Sequence, residues 1–165
     1  MPTTTTQEQE RWNEIVSDPL LSELPYKVET NAQGQIILSP HTNRHSKAQR
    51  SLQKLLDRHA PTGEVYPEFA IATSQGVKSP DVVWVSPKRE REMEETGDPS
   101  TLAPEICIEV LSESNTIDEM EEKRALYRDV GAQEVWLVEQ DGRIRFFGEE
   151  EMEKSTLVPD SPDQV

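Results

Sequence analysis

Two carboxylates set among apolar residues, Asp81 and Glu109, and one lysine, Lys123, are the side chains whose types and spacing could do chemistry. Asp81 follows Pro80 and opens the run Val82-Val83-Trp84-Val85, while Glu109 interrupts a run from Ile106 to Leu111. A carboxylate so placed is costly unless it is paired, hydrogen-bonded or bound to a metal. Alternation along a strand puts residues 81, 83 and 85 on one face, and 107, 109 and 111 on one face of the second run. If the two strands are neighbours, Asp81 and Glu109 project to the same side. Two carboxylates beside a backbone carbonyl, here that of Val110, make a hard oxygen site of the kind Mg2+ or Mn2+ accepts. Such an ion can activate water and stabilise charge on a scissile phosphate, and a nearby lysine can orient the nucleophile or bind the phosphate. A lysine might be looked for two residues after Glu109, but Leu111 stands there. Lys123, about two turns into the helix that follows, is in position to send its ammonium back towards Glu109.

Each residue also has a plainer reading. Asp81 could begin a strand or hydrogen-bond a turn. Glu109 could sit in a buried ion pair with Lys123 or Arg124, and Lys123 could pair on the surface with Glu119. Glu29 and Glu68, in other strand-like runs, are lesser candidates for a metal-side carboxylate. His45 begins a helix and could line the same cleft, while His59 ends that helix, where a cation suits the negative pole. Trp84 and Trp136 read as core aromatics. No P-loop, dinucleotide fingerprint, zinc spacing or Gly-x-Ser-x-Gly elbow occurs.

The elements that must position these groups follow from periodicity. Tyr26 to Glu29 and Gln35 to Leu38 read as a hairpin around Asn31-Ala32-Gln33-Gly34. His45 to His59 reads as a helix, with Ala48, Leu52, Leu55 and Leu56 on one stripe. Val65 to Ile71, Val82 to Val85 and Ile106 to Leu111 read as strands, with a turn region at residues 73–78. The charged stretch from Pro87 to Thr101 reads as a surface excursion with no core role. Ile117 to Val130 reads as a helix capped by Gly131, and Glu134 to Val138 with Ile144 to Phe147 as a hairpin around Asp141-Gly142. The order predicts an α/β domain with a mixed central β-sheet flanked by helices. Residues 1–20 are expected to be a flexible N-terminal segment, with a short helix from Glu8 to Ser17. Residues 21–148 are expected to form the domain, and residues 149–165, acidic and then proline-containing, a disordered tail.

Bulk properties set limits. A chain of 165 residues suits one domain with one core. Its net charge of −15 argues against holding nucleic acid by charge alone, although a small basic patch can hide in an acidic total. The one cysteine, Cys107, lies in a buried strand, where it reads as a core residue, and a cytoplasmic location fits. No run approaches the length of a membrane span, and the N-terminus lacks a signal-peptide core.

An ordered set of motifs carries a family resemblance. Leu24-Pro25-Tyr26-Lys27-Val28-Glu29 is followed by Leu38-Ser39-Pro40 with His45, then by Pro80-Asp81-Val82-Val83 and by Glu105 to Ser112. Lys123, Tyr127, Gly131 and Glu134-Val135-Trp136-Leu137-Val138 complete it. The set, spanning about Leu24 to Phe147, resembles the Uma-type restriction endonuclease family of the PD-(D/E)XK nuclease superfamily. The resemblance implies a restriction-endonuclease-like core, a divalent metal (Mg2+ or Mn2+) and hydrolysis of DNA phosphodiesters. It implies Asp81 and Glu109 as metal ligands, Lys123 as the relocated lysine, and Glu29 as the N-terminal acid. The chain departs from the family pattern in two loops, Asn31 to Gly34 in place of Asp-Gly, and Ser112-Glu113-Ser114 in place of Ser-Pro-Ser. Neither change removes a ligand. A homodimer is expected, since it would set two single-strand-cutting sites on one duplex. The rival expectation is a nuclease-fold module that acts in protein interaction or regulation without catalysis. A hydrolase of RNA or another phosphodiester is a third.

Overall fold

The computed structural model describes residues 4–165. A six-stranded mixed sheet lies between two long helices. The chain runs α1 (Thr5–Val16), α2 (Pro19–Ser22), β1 (Tyr26–Thr30), β2 (Ile36–Pro40), α3 (Asn43–His59), β3 (Glu64–Pro67), β4 (Ile71–Thr73) and β5 (Gly76–Lys78). It continues through β6 (Val82–Val85), α4 (Pro87–Glu94), β7 (Ile106–Val110), α5 (Ile117–Asp129), β8 (Glu134–Val138), β9 (Ile144–Phe147) and β10 (Glu151–Met152). The main sheet has the order β10-β9-β8-β7-β6-β3, in which β7 and β8 alone pair in parallel. The strands β1-β2 and β4-β5 form separate two-stranded hairpins.

Strand parity divides the core. Val82, Trp84, Ile106, Ile108, Trp136 and Val138 pack against Leu52, Leu55 and Leu56 of α3. Val83, Cys107, Val135 and Leu137 pack against Met120 and Tyr127 of α5. A strand buried on both faces reads as a continuous apolar run, as β6, β7 and β8 do. Both long helices begin on a threonine whose side chain accepts from the third helical amide: Thr42 from His45 and Thr116 from Glu119. Among the described residues no helix is long and apolar enough to cross a membrane.

Several segments differ from the expectation. The helix near the N-terminus begins at Thr5, ahead of Glu8, held by a capping box between Thr4 and Gln7. Its Trp12 and Ile15 pack with Val77 of β5, beside Val28 and Ile36 of the first hairpin. The first three residues of the expected flexible segment lie outside the described residues. Residues 73–78 are not a plain turn region but a tight hairpin, β4-β5. Gly76 turns it at φ +97°, and a Cβ there would collide with the carbonyl oxygens of Thr30 and Asn31. The stretch after Pro87 has a core role after all. Met93 of α4 is buried, and Arg89 donates to the carbonyls of Ala103 (2.7 Å) and Gly131 (2.9 Å). Its many charges hid one well-placed apolar residue.

The acidic C-terminal stretch, expected to be disordered, is placed against the sheet. Glu134 is the reason: it is buried, and it accepts from Ser155 Oγ (2.6 Å), the amides of Thr156 (3.1 Å) and Leu157 (2.8 Å), and Trp136 Nε1 (2.9 Å). Val158 is fully buried in the core on the α3 side. Glu134→Ala should therefore destabilise the protein by about 3 kcal/mol, the cost of unmaking a buried charged hydrogen-bond set. Denaturant unfolding tests this, and a loss below about 1 kcal/mol would mean that the segment is not clamped in this way.

Candidate functional site

The site is built where β6 and β7 run side by side. Their antiparallel register pairs Val82 with Ile108 and Val83 with Cys107. Extending it by one residue sets Asp81 opposite Glu109. The two carboxylates thus meet at one end of this interior strand pair, with side chains only 1% and 3% exposed. Asp81 Oδ2 accepts from the Val110 amide at 2.7 Å. The Asp81 carbonyl accepts from Gln49 Nε2 (2.8 Å) and the Glu68 amide (3.1 Å).

Lys27, on β1, stands between the two acids. Its Nζ lies 3.1 Å from Asp81 Oδ1 and 3.2 Å from Glu109 Oε2. Lys123 reaches the far oxygen of Glu109 at 3.3 Å and Glu29 at 3.0 Å. Tyr127 donates to that same Glu109 oxygen at 2.6 Å, and the Ser79 amide donates to Glu29 at 2.6 Å. His45 Nε2 lies 3.1 Å from Asp81 Oδ1, and its ring stacks on His41 with centroids 4.5 Å apart. The result is a chain of alternating acids and lysines, Asp81–Lys27–Glu109–Lys123–Glu29, with His45 against Asp81, drawn from β1, α3, the start of β6, β7 and α5.

Burial and partners compete in setting the protonation of these groups. For Asp81, burial pushes the pKa up, but the Lys27 charge and the His45 hydrogen bond hold it well below the usual carboxylate range. Glu29 is also lowered: burial opposes this, and Lys123, Lys27 and the Ser79 amide prevail. Glu109 goes the other way. Burial, helped by the charges of Asp81 and Glu29, outweighs both lysines and raises it. Burial alone would lower Lys27 and Lys123, yet the carboxylates, Glu109 foremost, raise both. Both lysines are therefore ammonium ions at neutral pH.

Asp81, Glu109, Lys123 and Glu29, singled out from sequence, all come together here. Lys123 does not pair with Glu119, which instead caps α5 through the Thr116 amide. Glu109 takes Lys123 as a partner but not Arg124, whose guanidinium lies 3.8 Å over the Phe147 ring. Val110 meets the site through its amide. Glu68 stays out of the carboxylate group, 3.3 Å from His41 and at φ +47°. His45 joins the site, whereas His59 sits in the last turn of α3. Sequence reading gave Lys27, Gln49 and Tyr127 no role in the chemistry. For two of them the signal was present: Lys27 shares a strand face with Glu29, and Tyr127 lies one helical turn beyond Lys123.

The acids open into a cleft of about 350 Å³ between the β1-β2 hairpin and the loop after β7, lined by Lys27, His45, Asp81, Glu109, Ser114 and Lys123. A larger cavity of about 650 Å³, lined by Tyr66, Glu68, Phe69 and Met93, contains none of the buried ion chain. Among the described residues no three acidic, histidine or cysteine side chains group as metal ligands. The donors at the cleft still suit a hard cation. Two carboxylate oxygens converge on one point, and that point holds a positive charge, the Lys27 ammonium.

Comparisons with known proteins bear on the family and the fold. The family described as "Uma2: Putative restriction endonuclease" matches residues 12–163, and the chain belongs to that family. A solved structure, described as a putative nuclease belonging to DUF820 from Anabaena variabilis, is similar in fold, with a TM-score of 0.61 and 18% sequence identity. The match covers 76% of this chain and 74% of the other. No curated protein matches the sequence.

Lys27→Met should cost the metal-free protein about 3 kcal/mol, because it leaves two adjoining buried carboxylates without their shared cation. Urea unfolding in the presence of a chelator measures this. Unchanged stability would show that the ammonium does not hold the acids together.

Proposed function

We propose that this Uma2-family protein is a divalent-metal-dependent endonuclease that hydrolyses phosphodiester bonds of DNA. One observation carries the reading: two buried carboxylates on adjacent strands, Asp81 and Glu109, converge on a single cation position at the floor of a cleft. Asp81 and Glu109 would hold Mg2+ or Mn2+, with the Val110 carbonyl as a further oxygen. Such an ion, when bound, supplies Lewis-acid stabilisation of the phosphate and a more acidic water. The remaining work falls to the chain's own residues. The Val110 amide and His45 orient Asp81. Tyr127 and Lys123 fix the outer oxygen of Glu109, leaving Oε2 turned to the cation position. Lys123, held by Glu29, places a second positive charge on the cleft wall, where it can meet a phosphate oxygen. Two copies of the chain would present one site to each strand of a duplex. A lone buried thiol, Cys107, fits a reducing cytoplasm.

A second reading has its own observation. Lys27 already satisfies both carboxylates, as it would in a nuclease fold kept for protein interaction or regulation without catalysis. Metal binding separates the two. In an endonuclease, Asp81 and Glu109 would hold the ion where the Lys27 ammonium stands, so Lys27→Met should gain more stability from Mn2+ than the unaltered chain does. Asp81→Asn and Glu109→Gln, which keep shape and remove charge, should each lower Mn2+-dependent plasmid nicking at least about 100-fold while retaining the native circular-dichroism spectrum. Nicking that survives either change would remove that residue from the site. An unaltered protein that neither binds Mn2+ nor nicks DNA would establish the second reading.

A further inference from the structure

Helix α3 carries a charge pattern at odds with the rest of the chain. The protein has 32 acidic and 17 basic residues. On α3, however, Arg44, Lys47, Arg50, Lys54 and Arg58 are opposed by Asp57 alone. At 100° per residue the five cations fall within about a third of the helix circumference. All five are exposed, and the opposite face, with Leu52, Leu55 and Leu56, is buried in the core.

The pattern works against the helix itself. Residues 44 and 47, 47 and 50, 50 and 54, and 54 and 58 are neighbours at i,i+3 or i,i+4, and every pair is like-charged. Each costs a few tenths of a kcal/mol where an acid would have gained as much. Arg44 and Lys47 also stand near the positive pole of the helix, which disfavours cations. Arg44 is engaged by the carbonyls of Leu111 and Gln140. Lys47, Arg50, Lys54 and Arg58 make no ion pair among the described residues. An exposed row of unneutralised cations in so acidic a chain calls for an external polyanion.

The same helix leads to the site. His45, beside Arg44, contacts Asp81 at 3.1 Å, and Gln49 holds the Asp81 carbonyl at 2.8 Å. From Arg44 to Arg58 the row spans roughly 21 Å, which matches about six base-pair steps along a duplex. Its exposed face offers only Asn, Ser, Asp, Lys and Arg, with no aromatic or large aliphatic side chain to enter a lipid surface. We infer that the exposed face of α3 is a phosphate-tracking surface that binds the backbone of duplex DNA and leads it to the Asp81–Glu109 cleft. This rests on the endonuclease reading above and specifies how an acidic protein would hold its substrate.

The test is fluorescence anisotropy of a short labelled duplex, in chelator, over a series of salt concentrations. Three proteins are compared: the unaltered chain, Lys47→Gln/Arg50→Gln/Lys54→Gln, and a control with the same charge change elsewhere, Lys88→Gln/Arg91→Gln/Lys154→Gln. The α3 variant should lose at least about tenfold in affinity at low salt, and its salt slope should fall by about 3, nearly one for each phosphate contact removed. The control should stay within about twofold. An α3 variant that binds like the unaltered chain, or a control that loses as much, would overturn the inference. So would a cationic row that drives self-association or binding to anionic vesicles while duplex binding is unaffected by its removal. Mn2+-dependent hydrolysis of a small activated phosphodiester, which needs no tracking surface, is measured alongside. If the endonuclease reading fails, all three proteins lack that hydrolysis. If only the tracking surface fails, hydrolysis persists and the α3 variant binds DNA normally.

Discussion

Two carboxyl groups forced together away from water are the constraint on which the rest of the structure depends. The antiparallel register of β6 and β7 sets Asp81 beside Glu109, and burial removes the solvent that would screen them. A desolvated carboxylate pair is tolerable only with a cation between the two groups and hydrogen bonds on the remaining oxygens. Neither strand supplies that cation. It comes from β1, and the second from α5, so the site requires elements that are distant in the chain to arrive together. The alternation of acids and lysines from Asp81 to Glu29, with His45 against Asp81, ties together the sheet, both long helices and the first hairpin.

This explains what the peripheral elements are for. The hairpin β1-β2 is not part of the main sheet, so its position must be fixed in another way. Helix α1 packs beside it through Trp12 and Ile15, and β5 binds it through the Val77 amide to Thr30 Oγ1 and Lys78 Nζ to the Thr30 carbonyl. Gly76 allows that approach. The small hairpin β4-β5 and the N-terminal helix thus act as the footing for Lys27 and Glu29. At the other end of the chain, Glu134 gathers four donors and fixes residues 155–158 over the core. A buried carboxylate organises local structure at both places, once around ammonium groups and once around neutral donors.

Charge is distributed unevenly along this chain. A net charge of −15 opposes nucleic acid at long range, yet the groups around the cleft are balanced locally and the exposed face of α3 is strongly basic. Screening makes the local pattern the one that counts, because charges beyond about 10 Å are damped at ordinary salt. The Lys27 ammonium belongs to the same economy. It lies 3.1 Å from Asp81 and 3.2 Å from Glu109 and holds the two carboxylates together.

Much of this was legible in the sequence, for a definable reason. Periodicity of two and of 3.6 is local, so strands β6, β7 and β8, helices α3 and α5, and the face that each of Asp81 and Glu109 takes on its own strand could be read from the residues alone. The ordered motifs were sufficient to indicate the family. Composition misled where one residue outweighed its neighbours: Met93 in a charged stretch, Val77 in an apparent turn, Val158 in an acidic tail. Tertiary structure alone decided that β6 and β7 are neighbours, that Lys27 rather than Lys123 stands between the acids, and that Glu68 stays outside while Tyr127 enters. Those outcomes depend on which strands pair and how a hairpin docks, and both are set by burial and charge compensation between segments far apart in the chain. Local periodicity tells which face a side chain occupies; only the packed fold determines what that face meets.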